Sequence, residues 1–267
     1  MRRVLILCAI FVFAGGAGLS AGDKKIRILL IGKDRDHAFG THEYMSECEL
    51  LAKCLKQTGG IDTVVSNGWP KETPRDIKAI VLYTARGGNV LFHGPAKKDV
   101  DELLKGGAWL TAIHWSTDAD DKIGDLWLNT LGGWFNPKFS KLNTRVAHLQ
   151  QADPASPICR GWKEYDLRDE YYLFLKFAPS ARPVLKVDID KKEHTVAWTY
   201  ERPESKGGRS FGIVLGHFHS NFGEKPFRQA LVNGILWTAH VDVPAGGAPC
   251  DITPKDLELP PDTRKKK

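Results

Sequence analysis

The chain has 267 residues, 42% apolar, 26% charged and 10% aromatic, which excludes a disordered chain, a collagen-like repeat and a disulfide-dense miniprotein. Its net charge of +6 sits at its ends, because Arg2 and Arg3 in front and Arg264, Lys265, Lys266 and Lys267 behind account for all of it. The body is therefore neutral, and no nucleic-acid partner is expected.

In chain order, residues 1–21 (MRRVLILCAIFVFAGGAGLSA) place two arginines before an apolar run from Val4 to Ala14 and then small residues. That is the layout of a secretory signal peptide. The run is short of the roughly 20 apolar residues of a membrane span. The expectation is a mature protein that starts near Gly22, is periplasmic or secreted, and has no stable membrane insertion after cleavage. Residues 26–32 (IRILLIG) read as a buried strand. Residues 43–57 carry Tyr44, Cys48, Leu51 and Leu55 at helical spacing, with Thr41 as the expected N-cap and Gly59 and Gly60 as the stop. Strands are expected at 61–66, 78–84 and 109–113, with an amphipathic helix from Lys97 to Lys105 before the last of these. Continuously apolar strands alternating with helices argue for a parallel sheet covered on both faces. Residues 117–141 read as an irregular excursion. Further strands are expected at 144–149, 183–188, 194–200 and 211–215, and a helix from Phe227 to Ala239. With no internal repeat and no long linker, residues 22–243 form one α/β domain, and 244–267 a loosely ordered tail. Cys48 and Cys54 lie six residues apart on one helix, so their side chains diverge and do not bond to each other. A disulfide between Cys159 and Cys250 is left open.

Parallel sheets bind ligands beyond the carboxyl ends of their strands. Asp34, Asp36, His37 and His42 follow the first strand; Arg86, Asn89 and His93 follow the third; His114 follows the fourth; His217 and His219 follow the strand at 211. Six of nine histidines thus fall on loops of one edge. The segment GGAWLTAIHW is similar to a nucleophile elbow, with His114 where a serine or cysteine would stand. An imidazole there suits acid–base work or metal ligation. His217 and His219 form an H-x-H pair that faces one side if the chain is extended. RDEYY (168–172) brings Asp169 and Glu170, either of which could orient a group or relay a proton.

The segments GTHEYMSECELLAKCL, GGAWLTAIHWSTDA, RDEYY, AWTYE and GHFHSNFGEKPFRQALVNGILWTA resemble the ThuA-like (trehalose-utilisation) family, over roughly residues 26–243. The resemblance implies an α/β, flavodoxin-like fold of the class I glutamine amidotransferase type, a mostly parallel sheet with helices on both faces. In that wider group the elbow carries a cysteine activated by a histidine. Here His114 stands at the elbow with no cysteine near it in sequence, so glutamine hydrolysis is not carried over. The family's link to disaccharide use implies an enzyme acting on a small-molecule carbohydrate or keto-sugar. The matched positions His37, His42, His114, Asp169, Glu170, His217 and His219 are the implied site. The catalytic set is His114, Glu170, Asp169 and His217. His37, His42, Arg86, Trp115 and Trp134 are expected to contact substrate, with Trp198 a further stacking candidate. One divalent metal on His114, His217 and His219 is the cofactor expectation. Two other readings remain: a non-catalytic carbohydrate-binding module on a glutamine amidotransferase-like scaffold, and a metal-dependent hydrolase of another substrate.

Overall fold

The computed structural model describes residues 25–94 and 96–263. Residues 1–24, which include the segment read above as a signal peptide, lie outside the described residues, as do Pro95 and Arg264–Lys267. In chain order the elements are β1 (Ile26–Gly32), α1 (Tyr44–Leu55), β2 (Ile61–Asn67), β3 (Ile77–Leu82), α2 (Gly87–Phe92), α3 (Lys97–Lys105), β4 (Trp109–Ile113), α4 (Gly124–Leu131), β5 (Gly133–Trp134), β6 (Lys141–Gln151), β7 (Tyr165–Leu173), β8 (Lys176–Phe177), β9 (Arg182–Ile189), β10 (Lys192–Glu201), β11 (Arg209–Ile213), α5 (His219–Gly223) and α6 (Lys225–Thr238). No helix among the described residues is long and apolar enough to cross a membrane.

Nine strands form one sheet in the order β2-β1-β3-β4-β11-β10-β9-β6-β7. The first five run parallel, in the doubly wound, flavodoxin-like order. The crossovers β1–α1–β2 and β3–α2–α3–β4 travel in opposite directions along the sheet, so right-handed connections put α1 on one face and α2 and α3 on the other. The other four strands pair antiparallel. β6 and β7 make a ribbon that joins β9 only through Gln150 and Gln151.

The core is the apolar strand set Ile28–Ile31, Ile80–Leu82 and Ile113 under α1 and α6. Close packing there depends on Gly234 of α6, where a Cβ would stand 2.3 Å from Phe211 Cε1. Several expectations need correction. Thr41 does not cap α1; its hydroxyl donates to Ala38 O at 2.7 Å, and the helix starts three residues later. The excursion at 117–141 contains α4; RDEYY, for which no element was expected, lies in β7. The tail is not loose over 244–263: Ala248 and Cys250 are fully buried, and Arg228 Nε donates to Cys250 O at 3.2 Å. Its irregular backbone finds partners on α6 (Arg228, Gln229 and Asn233) and on Gln57 just past α1, which its Pro- and Gly-rich composition does not reveal. The four described cysteines, Cys48, Cys54, Cys159 and Cys250, are free and buried.

Candidate functional site

The carboxyl ends of β1, β4 and β11 deliver three imidazoles to one point. His114 directly follows the last residue of β4 and has φ 54°, in the left-handed region that β-carbon-bearing residues avoid. A 3-10 turn over His114–Thr117 follows, closed by Thr117 Oγ1 donating to His114 O at 2.8 Å. This is the sharp strand-to-helix turn that the sequence suggested, with histidine at its tip. His42 also has φ 50°. Two such strained residues facing each other are the kind of backbone feature that surrounding structure must hold in place.

The loops are sewn together. His42 N donates to His217 O at 3.1 Å, and His219 N to Gly40 O at 2.9 Å. Asp169, fully buried on β7, accepts from Gly216 N (2.7 Å), His217 N (3.0 Å), Glu170 N (2.8 Å) and Asn221 Nδ2 (2.9 Å). It thereby fixes His217 against Glu170. Alternation along a strand sends neighbouring side chains to opposite faces. Glu170 accordingly faces the imidazoles while Asp169 faces the loop backbone. Asp169, expected in the catalytic set, thus spends its carboxylate on the loop backbone and Asn221 rather than on the imidazoles.

The ring nitrogens crowd closely. His114 Nε2 lies 3.0 Å from His42 Nε2 and 3.3 Å from His217 Nδ1, and His42 Nε2 lies 3.0 Å from His217 Nδ1. Glu170 Oε2 is 3.4 Å from His217 Nδ1 and 3.6 Å from His114 Nε2. The tautomers follow from the outer partners. His114 Nδ1 donates to Val214 O at 2.7 Å, so its Nε2 carries a lone pair. His42 Nδ1 donates to Tyr44 Oη at 2.8 Å, with Asp36 Oδ1 at 3.3 Å, and the Tyr44 hydroxyl donates on to Asp36 Oδ2 at 3.4 Å. Its Nε2 lone pair therefore faces His114 Nε2, which has no proton either and accepts from the Tyr172 hydroxyl at 3.1 Å. Burial lowers the pKa of His42 and drives that of His114 well below the usual imidazole value, so both stay neutral. Burial alone would raise the Asp36 carboxyl, but hydrogen bonds from His42, Lys33 and His37 hold it well below the ordinary carboxylate range.

Two lone pairs cannot hydrogen-bond to each other, whereas a cation between them satisfies both. Nitrogens bound at about 2.0–2.1 Å to one ion, at angles of 90–110°, are about 2.9–3.4 Å apart. The three N···N distances fall in that range. His42, His114, His217 and Glu170 therefore fit one divalent cation, with nitrogen and oxygen donors of the kind zinc and its neighbours take. His114 and His42 are buried, and the Glu170 and His217 side chains are 18% and 14% exposed, so the cluster opens on their side.

The remaining expected site residues are placed as follows. His42 moves from substrate contact to the cluster itself. His219 leaves it: α5 begins at His219, so the chain is no longer extended across the H-x-H pair and the two rings diverge. Its Nδ1 pairs with the buried Glu47 and its Nε2 donates to Leu257 O at 2.9 Å. His37 lies at the rim, its ring 3.8 Å from that of His42 and its Nδ1 donating to Asp36 Oδ1 at 2.7 Å. Trp115 edges both histidines, at 5.4 and 5.7 Å, and donates to Asp118 Oδ2 at 3.2 Å. Arg86 is engaged by Asp118 and Asp120. Trp134 and Trp198 are core residues, so the expectation that they stack on sugar is corrected. Trp134 Nε1 donates to Ala119 O at 3.1 Å, and Trp198 is pressed between Gly133 and Gly212, where a Cβ would come within 2.4 and 2.2 Å of its ring. The sequence reading missed Tyr172, whose Oη is 3.1 Å from His114 Nε2, and Tyr44. Strand alternation from Glu170 was the available signal for Tyr172.

The family model for ThuA, described as trehalose utilisation, matches residues 27–238. Among solved structures, a ThuA-like protein from Parabacteroides merdae has 16% identity and a TM-score of 0.60, covering 89% of this chain and 100% of that one. A ThuA-like protein from Bacteroides uniformis has 14% identity and a TM-score of 0.61, covering 88% and 99%. A cytoplasmic protein from Salmonella typhimurium has 13% identity and a TM-score of 0.57, covering 80% and 99%. At these identities the likeness is one of fold. No curated protein matches the sequence.

Proposed function

The chain belongs to the ThuA, trehalose utilisation, family, and from that premise we propose that it is an exported enzyme that processes a carbohydrate or keto-sugar at the histidine cluster with the help of one divalent metal. The observation that carries the reading is the opposed lone pairs of His42 Nε2 and His114 Nε2 at 3.0 Å, with His217 and Glu170 alongside. An acid–base site needs one imidazole with a free proton path, not two buried neutral rings turned nitrogen to nitrogen. A cation held there would supply Lewis acidity, polarising a sugar carbonyl or acidifying a hydroxyl. His42, His114 and His217 donate nitrogens and Glu170 a carboxylate oxygen. Asp36 and Val214 O, as outer partners, hold His42 and His114 in the ligating tautomer. Trp115 and His37, whose rings border His42, would contact the sugar. The family description supports the substrate class, and the Arg2–Arg3 leader supports export.

The test is metal analysis of the purified protein together with a screen of disaccharides and their 3-keto forms. Turnover that is lost in His114→Ala and with chelator is the expected result. Sugar binding without turnover in the metal-loaded wild type would overturn the enzyme reading and favour a binding module.

A further inference from the structure

Tyr172 stands inside the cluster without a role in holding the cation. Its side chain is 2% exposed, and its ring lies between Phe135, stacked at 4.1 Å, and His114 at 4.7 Å. The ring cannot swing away. Its hydroxyl donates to His114 Nε2 at 3.1 Å, the single lone pair that imidazole has left after Nδ1 donates to Val214 O. Alternation along β7 puts Tyr172 on the same face as Glu170, whereas Tyr171 points the other way and donates to Leu167 O at 2.7 Å. Tyr172 and the carboxylate thus flank the cluster from one strand.

When His114 Nε2 ligates a cation, the buried Tyr172 proton loses its acceptor, in a site that opens on the Glu170–His217 side. A buried hydroxyl without a partner is costly. The acceptor that can replace the imidazole is an oxygen of whatever molecule enters on the open Glu170–His217 side. We propose that Tyr172 is a substrate-contacting hydrogen-bond donor that makes the site selective for ligands presenting an acceptor oxygen to the cation, as the carbonyl or enolate oxygen of a hydroxyketone does. This inference rests on the metal reading above. A nitrogen donor such as imidazole has no acceptor left once its lone pair is used, so it leaves the Tyr172 proton unpaired.

The test uses the Co2+-loaded protein, whose visible absorption reports the ligand environment, titrated separately with acetohydroxamate and with imidazole. In Tyr172→Phe, Co2+ affinity stays within about threefold of wild type. Acetohydroxamate binds about tenfold or more weakly, and imidazole binds no more weakly than to wild type. Equal acetohydroxamate affinity in the two proteins would overturn the proposal while leaving the metal site standing. Wild type that takes up no Co2+ would overturn both. A second measurement needs no variant: Cu2+-loaded wild type shows no phenolate-to-copper charge-transfer band, and such a band would overturn the proposal by making Tyr172 a ligand.

Discussion

Replacing Asp169 by Asn tests whether the site is held by the buried carboxylate rather than by the surrounding packing. The two side chains have the same shape, so the change is one of hydrogen-bond polarity. In the native protein Oδ2 accepts from Gly216 N and Asn221 Nδ2, and Oδ1 accepts from Glu170 N and His217 N. Asn keeps one acceptor oxygen and puts an NH2 where the other was, so two donors then face a donor. A buried donor left without a partner costs about 1–3 kcal/mol. Two of them give an expected loss of about 2–6 kcal/mol. Because the orphaned groups include either Gly216 N or His217 N in each orientation of the amide, the β11–α5 loop relaxes and His217 leaves its position beside Glu170. Urea unfolding followed by tryptophan fluorescence at pH 7 measures the first effect, and Co2+ titration of the folded variant measures the second. The midpoint falls with an unchanged m-value, and cation affinity falls with it. A variant within 0.5 kcal/mol of wild type by the same extrapolation, with unaltered Co2+ affinity, would refute the positioning role.

Other expectations follow from the same geometry. Zn2+ at about a hundredfold excess over its dissociation constant stabilises wild type by about 2.7 kcal/mol but does not stabilise His114→Ala; equal thermal shifts in both would place the metal elsewhere. Burial lowers the pKa of His114 in the fold, so in metal-free protein the unfolded chain takes up a proton that the folded chain refuses once pH drops below the ordinary imidazole value of about 6.5. Stability from this group is present above that pH and is lost as pH falls, by about 1.4 kcal/mol one unit lower. His219 titrates with the opposite sign, because its pKa is raised: burial opposes protonation, but the hydrogen bond and negative charge of Glu47, with the Leu257 carbonyl, together outweigh it. The comparison is therefore wild type against His114→Gln, whose pH slope below 6.5 is shallower; parallel slopes would count against a neutral buried His114. Gly234→Ala destabilises by about 1–3 kcal/mol from overpacking, despite the better helix former, since its Cβ would meet the Phe211 ring at 2.3 Å; a thermal scan showing stabilisation would contradict the packing. N-terminal sequencing of exported protein yields a start near Gly22, and an intact Met1 would argue against cleavage.

The parallel half of the sheet was legible in the sequence because each of its strands is an apolar run, and the ends of such runs locate the loops that leave the carboxyl edge. His114 and His217 could be named from that alone, since parallel strands must share an edge. His42 and His219 traded places for a local reason. The H-x-H spacing has a ligand geometry only in an extended chain, and α5 starts at the second histidine, a boundary set by packing on Glu47 and Leu257 far away in sequence. Once RDEYY is a strand, period-two alternation separates Glu170 and Tyr172 from Asp169. Which of the two faces meets the histidines was decided by the pairing of β7 with β6 and by the loop that Asp169 binds. Trp134 and Trp198 show the same limit. Their aromatic surface suits a sugar as well as it suits a core, and only the glycines that distant segments bring against them, Gly124 for one and Gly133 and Gly212 for the other, close them off from a ligand. Sequence periodicity carries the orientation of a side chain relative to its own element. The partner it faces depends on contacts between elements, and those exist only once the chain has folded.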